Sequence, residues 1–93
     1  MQDDIEFQKL LSKIDRKIEE IDTELAIVDI IVQKDLDKLV EEYKKKLGNS
    51  AADVLDFAAF KKKHFQTLKK RKEESLERAK KRFNALKREI KEA

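Results

Sequence analysis

Apolar residues recur at alternating steps of four and three along the first part of this chain, from Phe7 through Leu11, Ile14, Ile18, Ile21, Leu25 and Val28 to Val32. At ~100° per residue this period lays one narrow stripe along an α-helix, whereas a half-buried strand alternates every two residues. The stripe continues through Leu36, Leu39, Val40, Tyr43 and Leu47. Its step of four from Val32 to Leu36 is a stutter that relaxes left-handed supercoiling locally. Proline is absent and Gly48 is the single glycine, so the one evident stop is LGNSAAD at 47–53.

At that stop glycine can take a left-handed conformation that ends one helix, and Ser50, with Asp53 three residues on, forms a capping-box-like start for the next. Lys44, Lys45 and Lys46 precede it and Asp53 and Asp56 follow, each sign matching the helix dipole at its end. The pattern predicts a single domain over 1–93: helix from about 3 to 47, a turn at 48–50, and helix from about 51 to 92. A second stripe runs through Val54, Phe57, Ala58, Phe65, Leu68, Leu76, Ala79, Phe83, Leu86 and Ile90. So short a turn makes the two helices antiparallel. The expected fold is all-α, a long antiparallel helical hairpin, or two-helix coiled coil, that dimerises into a four-helix bundle.

An antiparallel hairpin pairs residues whose numbers have a nearly constant sum. With that sum at about 101, apolar meets apolar throughout, including Leu25 with Leu76, Ile18 with Phe83 and Leu11 with Ile90. The same register sets Asp29, which interrupts AIVDIIV at 26–32, opposite Lys72, which interrupts the second stripe. These two are expected to form a register ion pair. If it were partly buried, losing one partner would cost ~3–5 kcal/mol. On the flanks, Asp15 is expected to approach Lys87, Asp22 to approach Lys80, Lys13 to reach Glu89 and Glu24 to reach Arg78. Exposed pairs like these contribute only ~0–1 kcal/mol each and select register more than they hold the fold.

Ile27, Ile30 and Ile31 fall on the far side of the first helix, where the hairpin partner cannot reach. Three adjacent β-branched side chains in water form a costly apolar patch. They are the expected interface, through self-association as a twofold homodimer or through a protein partner, with Leu55 and Phe60 near the turn as possible extensions.

Charge is distributed as unevenly as the apolar residues. Residues 1–49 hold 9 Lys/Arg and 13 Asp/Glu, a net of −4, and residues 50–93 hold 14 and 7, a net of +7. Each half is thereby a natural partner for the other. The basic half also raises an alternative, contact with nucleic-acid phosphates through Lys62, Lys63, Lys69, Lys70, Arg71, Lys80, Lys81, Lys87 and Arg88.

Other chemistries find little to build on. There is no cysteine, so neither a disulfide framework nor a thiolate metal site is expected, and a reducing cytoplasmic setting suits the chain. His64, the sole histidine, is read as a packing or solvent-facing residue. The acidic start MQDDIEF has no apolar core, so no signal peptide is expected, and the apolar runs AIV and IIV fall far short of the ~20 residues of a membrane span. No glycine-rich phosphate loop or nucleophile–base spacing is present. The function expected is that of a non-enzymatic helical interaction module, such as an adaptor, small chaperone or assembly scaffold, without cofactor, metal, membrane or small-molecule substrate.

Overall fold

A computed structural model describes residues 2–48 and 56–92. They form α1 (Gln2–Ala26), α2 (Val28–Leu47) and α3 (Phe57–Glu92), and the described residues contain no strand. The chain divides into two compact units, one of residues 1–26 with 73–93, the other of residues 27–72.

In the first unit the apolar stripe of α1 is buried as its period predicts. Ile14 and Ile21, seven residues apart, are buried, and Phe7, Leu11, Ile18 and Leu25 are half-buried beside them. The matching part of α3 contributes buried Leu76 and half-buried Ala79, Phe83 and Ile90, whereas Leu86 faces solvent more than its place in the stripe implied. Lys87 reaches Asp15 and Lys80 reaches Asp22, each at 2.6 Å. Seven residues forward on α1 match seven backward on α3, so the segments are antiparallel, and both pairs sum to 102. The expected contacts of Lys13 with Glu89 and of Glu24 with Arg78 are not formed. Among the described residues, the ion pairs that join α1 to α3 in this unit lie on the aspartate flank.

The second unit has the denser core. Val28, Val32, Leu36 and Val40 are buried, with Leu36 fully inaccessible, and Phe60, Phe65 and Leu68 pack against the Val28, Val32 and Leu36 cluster. Phe60 therefore serves the core instead of extending an outer interface, while Ala58, assigned to the stripe, is exposed. Lys69 pairs with Asp29 at 2.9 Å and Lys61 with Asp37 at 3.1 Å. Eight residues forward on α2 match eight backward on α3, which is antiparallel again, but these pairs sum to 98.

The expected first helix is thus two helices. Ile27 leaves the helical region, with φ −114° and ψ 21°, and its carbonyl accepts the N–H groups of Ile30 at 3.0 Å and Ile31 at 3.1 Å. An apolar side chain cannot cap the N–H groups of the new helix, and none does. A constant sum of 101 presupposes two uninterrupted helices. With Ile27 out of the helix that assumption fails, and Asp29 meets Lys69, about one turn from Lys72.

The remaining ends follow local chemistry. Gly48 closes α2 at φ 78° and ψ −176°, a region open essentially to glycine, and donates its N–H to the Lys44 carbonyl at 3.1 Å. Lys44, Lys45 and Lys46 occupy the last turn as the dipole favours. Helix α3 opens at Phe57, where the Asp56 carboxylate accepts the Ala59 N–H at 3.0 Å, and the predicted start near 51 lies outside the described residues. The proposed Ser50 and Asp53 cap, like Val54 and Leu55, lies outside the described residues.

Candidate functional site

The surface of α2 gives the isoleucine cluster a definite form. Ile30 is 55% exposed and Ile27 41%, while Ile31 is half-buried and offers less than the sequence pattern implied. Ile27 and Ile30 are held together by the turn that starts α2, since the Ile30 N–H is bonded to the Ile27 carbonyl. Lys34 and Lys38 continue that side of the helix, both exposed. Their aliphatic stems can extend an apolar contact while the ammonium groups stay in water.

Asp29, between these isoleucines, has two local roles. It lies in the first turn of α2, where a carboxylate is favoured by unsatisfied N–H groups, and it accepts the Lys69 ammonium. Its side chain is 64% exposed and that of Lys69 30%, so this is a surface pair and the large cost anticipated for a buried one does not apply. Lys72, the expected partner, is half-buried on α3 and makes no ion pair with Asp29.

The nine basic residues singled out on the second helix separate into two groups. Lys69, Lys80 and Lys87 are turned toward Asp29, Asp22 and Asp15, respectively. Lys62, Lys63, Lys70, Arg71, Lys81 and Arg88 face solvent. By unit, residues 27–72 carry 12 basic and 7 acidic residues, a net of +5, whereas 1–26 with 73–93 carry 11 and 13, a net of −2. The positive charge of the molecule therefore resides in the second unit, which a division at the turn had obscured.

One feature of the second unit escaped the sequence reading. Tyr43, Leu47, Asp56, Phe57 and Phe60 line a cleft of about 290 Å³. Tyr43 meets Phe60 edge-on at 6.3 Å, Phe60 lies 4.5 Å from the His64 ring, and the Lys44 ammonium stands 5.4 Å over the Phe57 ring. Phe57, Phe60 and His64 stand at i, i+3 and i+7, a spacing that could have revealed the cluster. His64 is thereby a packed aromatic. Among the described residues no three His, Asp or Glu side chains converge as metal ligands would, and no helix is long and apolar enough to cross a membrane. Compared with protein-family models, curated proteins and solved structures, the chain has no match.

Proposed function

We propose that this chain is a non-enzymatic helical interaction module, an adaptor, small chaperone or assembly scaffold of the cytoplasm, that docks other helices on the Ile27 and Ile30 face of α2. The observation that carries this reading is the exposure of two adjacent β-branched side chains, Ile27 and Ile30, at the start of α2. The solvent-facing isoleucines form a small apolar patch, and the lysine stems beside them can enlarge it while their charges stay in water. A chain free of cysteine is at home in a reducing compartment.

The first partner is a second copy, related by a twofold axis, with two hairpins forming a four-helix bundle. Energetics set how tight that dimer can be. Complete burial of an isoleucine contributes ~1.5–3 kcal/mol, so covering the exposed half of Ile27 and Ile30 on both copies contributes about 3–6 kcal/mol. Association itself costs at least ~4 kcal/mol, so these side chains alone leave at most ~2 kcal/mol, and a dimer populated near 100 µM requires Ile31 and the lysine stems to supply roughly 3–4 kcal/mol more.

Light scattering at about 100 µM protein tests the proposal. The wild type is expected to show a mass well above the 11.0 kDa of one chain, rising toward twice that value with concentration, and an Ile27→Ser, Ile30→Ser variant to show the chain mass alone. Serine is a good N-cap, so position 27 tolerates it without loss of α2. Equal masses for the two proteins would remove this face as the self-association site.

A further inference from the structure

A different surface of the second unit, independent of the isoleucine face, is strongly basic. From Phe57 to Lys72, FAAFKKKHFQTLKKRK, α3 has seven Lys/Arg and no acidic residue. Lys61 and Lys69 fold back onto Asp37 and Asp29, and Lys72 is half-buried. Lys62, Lys63, Lys70 and Arg71 remain, all exposed, with exposed Gln66 and Thr67 between the two pairs. Lys63 and Lys70 are seven residues apart, nearly in line on the helix and about 10.5 Å apart along its axis. Lys62 and Arg71 stand on the two shoulders of that line.

We propose that this ridge docks duplex DNA through its phosphate backbone, without reading its sequence. Four cations on one acid-free segment are the electrostatic complement of a polyphosphate. Their ~10.5 Å separation is close to the ~12 Å width of the B-form major groove, so a helix laid across the groove presents Lys63 to one strand and Lys70 to the other. Gln66 and Thr67 add uncharged hydrogen-bonding groups of the kind that contact phosphates.

The surroundings select duplex over the competing anions. Single-strand binding draws on exposed aromatic platforms. Here Phe57, Phe60 and Phe65 are half-buried, and Phe60 and Phe65 pack on the core. Membrane-surface binding needs large apolar side chains to enter the lipid boundary. Beside this ridge the exposed uncharged residues are Ala58, Ala59, Gln66 and Thr67.

The test is fluorescence anisotropy of a labelled 20-base-pair mixed-sequence duplex titrated with the full chain at several salt concentrations. Four phosphate contacts predict a slope of about −3.6 in log K against log salt, or a loss of about 150-fold between 50 and 200 mM. Replacing Lys62, Lys63, Lys70 and Arg71 by Gln should weaken binding at 50 mM by more than about 30-fold. Replacing Lys81, Arg82, Arg88 and Lys91 by Gln removes the same charge from exposed positions of the first unit and should weaken it by less than about fivefold. Gln is a good helix former, and unchanged circular dichroism of both variants would establish that helicity is kept. The proposal is overturned by absence of wild-type binding at 50 mM, by equal losses in the two variants, by tighter binding to a single strand than to the duplex, or by binding to phosphatidylserine vesicles without binding to DNA.

Discussion

The unit built on Ile14, Ile21 and Leu76 and the unit built on Val28, Val32, Leu36 and Val40 bury their side chains on different periods. In the first, buried positions on α1 are seven apart, the spacing of a left-handed coiled-coil seam. In the second they are four apart over three successive steps. A step of seven falls back ~20° around the helix and a step of four advances ~40°, so from Val28 to Val40 the buried line winds through ~120°. Its contact face therefore turns away from any line drawn on a heptad. Phe60, off the heptad line, packs on the core, and Ala58, on it, does not.

The sharpest way to break this comparison is to empty the two cores in turn. Leu36 is fully inaccessible and has buried Val28 and Val32 in its own cluster, whereas Leu76 is 7% exposed. Buried Leu→Ala changes cost ~2–5 kcal/mol, more where the cavity cannot collapse. Leu36→Ala is expected near the upper end of that range and Leu76→Ala near the lower, measured by urea unfolding followed by circular dichroism. An equal or larger loss for Leu76→Ala would mean that the two cores are equivalent and that period does not separate them.

What could be read in the sequence divides along the same boundary. Helicity was legible for nearly all of the described residues, because a chain without proline and with one glycine contains few conflicting instructions. The 3–4 stripe from Phe7 to Leu25 was fully legible, and Asp15, Asp22, Lys80 and Lys87 meet as the charge pattern requires. The stop at Ile27 was not, because nothing in its chemistry marks it: isoleucine is neither a helix breaker nor a preferred cap. That hidden stop displaced the partner of Asp29 from Lys72 to Lys69. The isoleucine patch was visible as an excess of apolar residues over one face, yet only the fold could separate exposed Ile27 and Ile30 from half-buried Ile31. Likewise, charge counts announced a basic half, and the fold then decided which lysines turn toward aspartates and which face solvent.

The break itself can be tested with two substitutions at one position. If Ile27 is the N-cap of α2, Asn there can accept an orphan N–H and Ala cannot, while both remove the same apolar side chain. Ile27→Asn should then be more stable than Ile27→Ala by ~1 kcal/mol in thermal or urea unfolding. Inside an uninterrupted helix the order reverses, because Ala has the higher intrinsic propensity by up to ~0.7 kcal/mol. The sign of the difference alone decides between one helix and two.

The smallest effects sharpen the register. Asp29 with Lys69 sums to 98, and Asp29 with Lys72 sums to the 101 of an uninterrupted hairpin. Two double-mutant cycles, Asp29→Asn with Lys69→Gln and Asp29→Asn with Lys72→Gln, share one arm and differ only in the lysine. The Asp29 and Lys69 cycle is expected to give a coupling of about 0.2–1 kcal/mol that shrinks as salt is raised, as for exposed pairs elsewhere. Lys72 should be additive with Asp29 within about 0.3 kcal/mol, because the Asp29 carboxylate pairs with Lys69 instead. A third cycle, Asp15→Asn with Lys87→Gln, calibrates the method in the first unit, where the pair is shorter at 2.6 Å and partly buried. Coupling to Lys72 in place of Lys69 would restore the single sum and make the interruption at Ile27 irrelevant to pairing. Coupling to Lys69 fixes the second unit's register by a measurement that owes nothing to its apolar core.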